Sequence, residues 1–277
     1  MLELYHYPTS VCAGKVRAVL AEKELPWESR VIDILAGEQF QDWYRKLNPS
    51  CVVPTLVHDG KPICEAAVIC EYLEDAFPEP SLRPHELTGR AKMRIWAKDV
   101  ETYMAGNCAG VTFAATHRFE VLKLSPKELQ AFYDGHPNQY LAARKKNWIE
   151  QGYQSEDAQR SVLIYDTFLR KMEAQLSTTA WLAGDQYTIA DASATPYLVR
   201  LDMLNYLEWL DMIGTRVAEW YARVKARNSF MPAFYEVMSE DYLKMIRERG
   251  TAAWPEVQGI LSKDQAKKQS SLSRAAA

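Results

Sequence analysis

"SCVVPTLVHDGKPICEAAVICEYLE", residues 50–74, decides the fold of the first part of the chain. The apolar run after Pro54 predicts a strand, and Asp59-Gly60 is a two-residue turn that favours a β-hairpin with the following "KPIC". Apolar residues then recur at helical spacing from Val68 onward. The stretch therefore predicts two antiparallel strands followed by an amphipathic helix.

The proline of this stretch marks an unusual backbone position. Pro54 has no N–H to donate, so it is expected at the edge of the sheet, where the backbone of Val53 stays free to pair with another extended chain. Two interpretations stay open from these residues. The proline is either an ordinary edge residue or part of a site where a peptide-like ligand adds as a strand.

The helix after the hairpin begins with an acidic residue. Glu65 precedes Ala66 at the predicted N-terminus, where the helix dipole favours a carboxylate, and this alone explains an acid here. Alternatively, the Ala66 amide binds a carboxylate while Glu65 holds an ammonium group. The pair then matches the head group of an amino acid.

The segments upstream complete a small α/β layer. Residues 2–7 predict a strand, and residues 10–17, "SVCAGKVR", open a helix that ends before Pro26. Residues 27–34 predict a second strand and residues 37–49 a short helix. The resulting order, β-α-β-α-β-β-α, describes an α/β domain whose sheet mixes parallel and antiparallel pairs.

The remainder of the chain is predicted to be all-helical. Three prolines in "PEPSLRPHE" indicate an exposed connector after the first domain, residues 1–80. Capping boxes that begin at Ser125 and Thr188 mark later helix starts. We expect a helical domain over residues 85–250 and a polar extension over residues 251–277 that is partly disordered.

Composition narrows the function classes. The chain has 277 residues, 48% hydrophobic content, a formal charge of −3 and a pI near 6.0, which disfavours nucleic acid as a partner. No targeting segment and no bilayer-length apolar run is evident, so we expect a soluble cytoplasmic protein without a membrane partner. Five cysteines without a CxxC pair predict reduced thiols, and the scattered histidines predict no metal site.

Over residues 1–235 the chain resembles the soluble glutathione transferase superfamily. The resemblance rests on the Ser-x-Cys helix start, "NPSCVVPTLVHDGK", "EAAVICEYLE", the helical second half and "GDQYTIADASATPY". It implies a thioredoxin-like first domain that binds glutathione, an all-α C-terminal domain that supplies the acceptor pocket, and a homodimer or a heterodimer with a related chain. "HDGKPICEAAVICEYLEDAFPEPSLRP" and "RAKMRIWAK" are similar to the bacterial β-etherases, whereas "SVCAGKVR" resembles zeta-type members, including reductive dehalogenases.

The resemblance also implies roles for single residues. Val53 would pair with the cysteinyl backbone of glutathione beside a cis Pro54. Glu65 and the Ala66 amide would hold the γ-glutamyl end, and Gln39 would reach the glycyl end. Family members usually have serine or threonine in place of Ala66, so this chain lacks a hydroxyl contact and keeps the backbone donor.

Two residues at the first helix start are candidates for the chemistry. Ser10 matches the hydroxyl position of the family and is predicted to donate to the glutathione sulfur, with a simple N-cap as the alternative. Cys12 falls on the apolar face of the helix and either packs in the core or forms a mixed disulfide with glutathione. Lowering a thiol pKa from about 8.5 to about 6.5 requires about 2.7 kcal/mol, and one hydrogen bond to the thiolate plus the helix dipole supplies that amount.

Further candidates lie beside these residues and in the second domain. Lys15 and Arg17 either add positive field near the thiolate or are solvated helix charges. An aromatic acceptor pocket is predicted from five residues, which alternatively belong to the helical core: Trp96, Tyr103, Met104, Phe113 and His117.

The sequence thus predicts a glutathione-dependent transferase. A thiolate stabilised by Ser10 attacks an electrophilic carbon of a small aromatic molecule, with a lignin-type β-aryl ether as the preferred substrate and aryloxide as the leaving group. Thiol transfer or reductive dehalogenation through Cys12 is one alternative. A glutathione transferase fold kept as a binding module without turnover is another.

Overall fold

Four strands and three helices build the first domain of the computed structural model, which describes residues 1–135 and 138–275. A single 3₁₀ turn, Glu38–Phe40, precedes the second helix. The elements are β1 (Leu2–His6), α1 (Val11–Glu22), β2 (Glu28–Val31), α2 (Asp42–Leu47), β3 (Thr55–His58), β4 (Lys61–Cys64) and α3 (Ala66–Ala76). This is the predicted element order.

The sheet has the strand order β2-β1-β3-β4. β1 pairs in parallel with β2 and antiparallel with β3, and β3 pairs antiparallel with β4. The β3-β4 hairpin turns at Asp59 and Gly60, whose φ angles of 48° and 78° are those that the Asp-Gly pair predicts. The mixed sheet with its helices confirms the predicted thioredoxin-like α/β domain.

Helices make up the remainder of the chain, which confirms the predicted all-α second domain. The long helical run that starts at Leu87 contains two π-helical turns, Val100–Met104 and Phe113–His117. The helices are α4 (Leu87–Asp99), α5 (Ala105–Thr112), α6 (Arg118–Val121), α7 (Pro126–Asp134), α8 (Gln139–Gln151), α9 (Glu156–Leu176), α10 (Ile189–Met203), α11 (Glu208–Ile213), α12 (Thr215–Lys225), α13 (Phe230–Phe234) and α14 (Glu240–Ala275).

Helix α1 lies between the sheet domain and the helical domain. Its residues Val16, Val19 and Leu20 are fully buried, as their spacing predicts, and the helix packs against α3, α10 and α13. A Cβ on Gly14 would lie 3.2 Å from the ring of Phe234 and 3.3 Å from Pro196. The absence of a side chain at this position lets α1 approach the helical domain closely.

The C-terminal segment differs from the prediction. Helix α14 crosses the boundary that we placed after residue 250, and Trp254, Val257 and Leu261 belong to the main hydrophobic core. The polar stretch beyond them is helical through Ala275 rather than partly disordered, while residues 276 and 277 lie outside the described residues. Sequence polarity is the reason for the error, because a solvated helix face and a mobile tail have similar compositions. The division of the chain at residues 80 and 85 stays a prediction.

The predicted capping box at the start of α10 is buried in the core. One carboxylate oxygen of Asp191 accepts from the N–H of Leu182 at 3.0 Å and from Nε1 of Trp220 at 2.9 Å. The other oxygen accepts from the N–H and the hydroxyl of Thr188 at 3.0 and 3.1 Å. A single side chain therefore satisfies donors from three segments of the domain.

We expect Asp191→Ala to lower the free energy of unfolding by about 3–5 kcal/mol, because the substitution leaves several buried donors without an acceptor. Ser125→Ala at the exposed capping box of α7 is the matched control and is expected to cost about 1 kcal/mol. Urea unfolding followed by circular dichroism measures both. Equal losses in the free energy of unfolding for the two variants would show that burial of the Asp191 capping box adds nothing to stability.

Candidate active site

A cleft of about 980 Å³ separates the sheet domain from helices of the second domain. The wall that the first domain contributes contains every residue that the sequence analysis singled out for catalysis or glutathione binding: Ser10, Cys12, Gln39, Val53, Pro54, Glu65 and Ala66. The opposite wall comes from the segment between the first π-helical turn and α8. The structure brings the seven residues together, while their individual roles stay predictions.

Ser10 is the N-cap of α1. Its backbone is extended, and its hydroxyl oxygen accepts a hydrogen bond from the N–H of Ala13 at 3.2 Å. A hydroxyl that accepts still has its own proton to donate. The N-cap geometry is therefore compatible with donation from Ser10 to an anion in the cleft.

Two buried guanidinium groups bind the turn that leads to Ser10. Arg17 donates from Nη2 to the carbonyl oxygen of Pro8 at 3.0 Å, and Arg200 donates from Nη2 to that of Thr9 at 2.5 Å. The two arginines are 2% and 4% exposed, and neither has an ion-pair partner in the described part of the chain. Backbone carbonyls therefore take the place of water around both charges, and the turn is fixed from two sides.

Lys15 and Arg17 are not solvated helix charges, which was one of the two predicted interpretations. Both side chains are buried, and the ammonium of Lys15 forms an ion pair with Glu101 in the first π-helical turn. The same ammonium lies 5.2 Å from the ring centroid of Tyr197. Glu101 balances the charge of Lys15, so this pair joins the two domains rather than leaving a free cation at the cleft.

Cys12 lies where the apolar face of α1 reaches the cleft. It is partly buried, whereas Val16 and Val19 farther along this face belong to the core. Burial raises the pKa of the Cys12 thiol; the charge of Lys15 opposes this shift and the charge of Glu101 reinforces it. The thiol is therefore protonated at neutral pH and is a poor nucleophile in this state.

The backbone of Val53 is available to a ligand. The Val53-Pro54 peptide bond is cis, and both residues are buried against the cleft. The carbonyl oxygen of Val52 accepts from the Tyr44 hydroxyl at 2.7 Å and from Asn48 at 2.9 Å. Within residues 1–135 and 138–275, by contrast, the N–H and C=O of Val53 have no hydrogen-bond partner.

The N-terminus of α3 opens onto the same cleft. Glu65 is exposed, with a φ angle of 69° that is unusual for a residue other than glycine, and its side chain makes no capping hydrogen bond. Ala66 follows as the first helical residue and is buried. An uncapped helix start beside a carboxylate can hold the two charges of an amino-acid head group.

Gln39 lies in the loop before α2. Its amide nitrogen donates to the carbonyl oxygen of Ile34 at 3.3 Å, which leaves its amide oxygen buried and without a partner among the described residues. Because Gln39 lines the cleft, a donor on a bound ligand can satisfy this oxygen.

The acceptor side of the cleft differs from the prediction. Of the five residues proposed for it, Phe113 alone lines the cleft among the described residues. Trp96 and Met104 belong to the helical core, Tyr103 is exposed on the surface, and His117 packs edge-on against Phe113 at 5.1 Å between ring centroids. Periodicity showed that these residues are apolar but gave no sign of which neighbour they contact.

Residues between α6 and α8 form the wall that sequence reasoning missed. The lining of this wall includes three large apolar residues that interrupt polar stretches of sequence, which is the signal that marks them, and one lysine: Leu124, Phe132, Leu141 and Lys145. Lys145 is the polar member of this set, and burial lowers its pKa to about 8.

Comparison with known proteins identifies the family. The glutathione S-transferase N-terminal domain model matches residues 4–81, and the C-terminal domain model matches residues 155–223. Protein LigF from Sphingobium sp. is 30% identical over 90% of this chain and 98% of its own length. This chain belongs to the glutathione S-transferase family. Glutathione, the co-substrate of the family, is thus the ligand of this transferase, as the sequence predicted.

Two further comparisons describe the relatives of this transferase. The crystal structure of beta-etherase LigF from Sphingobium sp. superposes with a TM-score of 0.75 at 28% identity, covering 85% of this chain and 99% of LigF. The tetrachloro-p-hydroquinone reductive dehalogenase of Sphingobium chlorophenolicum is 27% identical over 84% of this chain and 95% of its own. Both predicted resemblances, to β-etherases and to dehalogenases, are therefore present at similar identity.

Two structural features concern the parts of the transferase that the structure describes, clusters of metal-ligating side chains and helices able to span a membrane. No group of three or more metal-ligating side chains occurs in residues 1–135 and 138–275. None of the helices described combines the length and apolar character needed to cross a bilayer.

We expect Arg200→Met to raise the Kd of this transferase for glutathione about tenfold, because loss of a charged hydrogen bond worth about 1.5 kcal/mol releases the Thr9 carbonyl and the turn before Ser10. Calorimetry measures the Kd, and ultraviolet titration measures the pKa of the bound thiol, which we expect to rise. Arg216→Met removes an exposed arginine and serves as control.

A folded Arg200→Met protein with wild-type Kd and wild-type thiol pKa would show that the guanidinium does not position the turn. Should that variant not fold, Tyr242→Phe removes the hydroxyl that accepts from Nη1 at 2.6 Å and that also lies 3.3 Å from Nε2 of His117, so it loosens the same guanidinium group more mildly.

Proposed function

We propose that this protein is a glutathione transferase that cleaves β-aryl ethers of lignin type. The observation that carries the proposal is the single cleft that joins the Ser10 turn and the unpaired Val53 backbone to an apolar wall of the helical domain. A nucleophile bound at the first wall therefore faces an aromatic acceptor bound at the second.

The residues of the first wall fit an extended tripeptide. The free N–H and C=O of Val53 match the cysteinyl backbone of glutathione, as in strand addition. Glu65 and the Ala66 amide match the ammonium and carboxylate of its γ-glutamyl end. The unpartnered oxygen of Gln39 matches the N–H of its glycyl residue.

Glutathione supplies the nucleophilic sulfur and retains it as a thioether. The thiol releases its proton to solvent, Ser10 donates a hydrogen bond to the resulting thiolate, and a hydrogen bond to a charged group contributes about 1.5–3 kcal/mol. The N-terminus of α1 and the buried charges of Arg17 and Arg200 add positive potential at the same turn. The carbon-sulfur bond then forms as the carbon-oxygen bond breaks, and the departing aryloxide takes a proton from solvent.

Two observations support the choice of substrate. LigF, which is similar over nearly its full length, is named a beta-etherase. Phe113, Phe132 and Leu141 present an apolar surface suited to an aromatic ring.

Thiol transfer or reductive dehalogenation through Cys12 is the second candidate function. It is favoured by the position of Cys12 in the cleft beside Ser10 and by the similarity to a reductive dehalogenase. The raised pKa of the Cys12 thiol weighs against it, because a protonated thiol does not attack.

We expect Ser10→Ala to lower kcat for release of a phenol from a model β-aryl ether by about 10- to 100-fold, which corresponds to the loss of one hydrogen bond to the thiolate. Cys12→Ser is the matched neighbour and is expected to change kcat less than about threefold, because the neutral thiol takes no part. Steady-state assays with glutathione measure both.

Two other results would each support a different function. Loss of turnover in Cys12→Ser with a mild effect of Ser10→Ala would support the dehalogenase-like mechanism. Glutathione binding by calorimetry without turnover of any electrophile would support a binding module.

We further propose that the transferase works as a homodimer through α3 and α4. Arg94 on α4 forms an ion pair with Glu71 on α3 at 3.1 Å, so the surfaces of the two helices lie within reach of each other. Val68 and Ile95 next to this pair are 54% and 56% exposed. A neighbouring pair of exposed branched apolar residues fits burial against a second chain.

Ile95→Glu is expected to convert the dimer to a monomer, because a carboxylate would be buried in an apolar interface without a partner. Sedimentation velocity at micromolar concentration measures the change. Met231→Glu, at another exposed apolar residue on α13, is the control. An unchanged sedimentation coefficient for Ile95→Glu would place the interface elsewhere.

The cytoplasm is the compartment that we propose for this reaction. All five cysteines are free, and a cytosol rich in reduced glutathione both keeps thiols reduced and provides the co-substrate.

A further inference from the structure

Lys145 occupies an unusual position in the acceptor half of the cleft. Its ammonium lies 4.3 Å from the ring centroid of Phe132 and 4.8 Å from that of Phe113. The three residues line the cleft together. The charge therefore lies at the surface that an aromatic acceptor would contact.

The neighbours of Lys145 in α8 have anionic partners, and Lys145 does not. Arg144 pairs with Asp157 at 3.3 Å, and Lys146 approaches Glu150 at 3.9 Å. Across the described residues, no carboxylate forms an ion pair with Lys145 and no acceptor takes a hydrogen bond from it.

Of the three acidic residues that line the cleft in the described part of the chain, Glu65 lies on the wall of the first domain and the other two have partners elsewhere. Glu101 pairs with Lys15, and Glu128 accepts hydrogen bonds from Ser125 as part of the capping box of α7. Cation-π contacts to two rings offset only part of the cost of removing an ammonium from water. Three N–H donors of Lys145 thus remain for a ligand.

We propose that Lys145 binds an oxyanion of the acceptor, so that the substrate class is an aromatic molecule that carries a carboxylate or phenolate oxygen. The proposal rests on the proposed function, because the proposed function places the acceptor in this half of the cleft. The two phenylalanine rings pack against the aromatic ring of the acceptor, and the ammonium between them orients its charged oxygen.

Either of two groups of the acceptor can provide the oxyanion, and both would bind the ammonium in the same way. It is either a substituent present before the reaction or the aryloxide that forms when the carbon-oxygen bond breaks. The first source affects binding of the substrate, and the second affects the rate of bond cleavage.

Binding of a matched pair of ligands tests the contact without turnover. Naphthoate and naphthamide have the same ring and nearly the same shape but differ in charge. We expect Lys145→Met to raise the Kd of the full chain for naphthoate about tenfold and to change that for naphthamide less than twofold, because one charged hydrogen bond is lost. Lys145→Arg is expected to retain most of the affinity, and Lys146→Met, the adjacent control, all of it.

Kinetics distinguishes the two sources. A higher KM of Lys145→Met for carboxylated ethers alone supports a substituent on the acceptor. A lower kcat for all aryl ethers, largest for the poorest leaving groups, supports binding of the aryloxide. Wild-type affinity for naphthoate together with unchanged kinetics in Lys145→Met would overturn the proposal. Selective naphthoate binding by a protein that cleaves no ether would overturn the proposed function and leave this site standing.

Discussion

The cleft depends on the short turn between β1 and α1, because Ser10 can donate to a thiolate only if that turn keeps its shape. Arg17 comes from α1 itself, whereas Arg200 comes from the helical domain, and each donates to a carbonyl oxygen of the turn. A buried cation is costly without compensation, so both guanidinium groups favour the conformation that supplies those oxygens. The geometry of the proposed catalytic hydroxyl is thereby coupled to the packing of the two domains.

Charged contacts along α1 also couple the first domain to the helical domain. At its first turns Lys15 pairs with Glu101, and at its end Glu22 accepts from both Nε and Nη2 of Arg227 at 2.5 and 2.6 Å. Charged contacts to the second domain thus lie at both ends of a helix whose apolar residues Val16, Val19 and Leu20 are fully buried. Bidentate geometry resists rotation as well as separation, so the width of the cleft follows from how α1 docks.

The first domain was largely predictable because local chemistry determines it. An Asp-Gly turn, a proline before a strand and an acid at a helix start act within a few residues of their own position. Pro54 precedes the interior strand β3 rather than lying at the edge of the sheet as predicted, yet Val53, Pro54, Glu65 and Ala66 line one cleft. The acceptor wall was not predictable in this way. Met104 and Phe113 have equivalent apolar patterns, yet one faces the core and the other the cleft. Lys145, within "ARKKN", has the sequence context of a solvated charge.

The two walls of the cleft differ in the kind of group that they present to a ligand. In the binding mode that we propose, the first wall offers main-chain groups to glutathione, and a backbone N–H persists when its side chain is replaced. Ala66 illustrates the point, since the loss of a family hydroxyl costs a neutral hydrogen bond of about 1 kcal/mol but keeps the amide and the helix dipole. The second wall offers side chains, so each substitution there changes its shape or charge. If the acceptor binds at this wall, as we propose, its selection depends on tertiary packing of α5 to α8 rather than on the motifs that reveal the family.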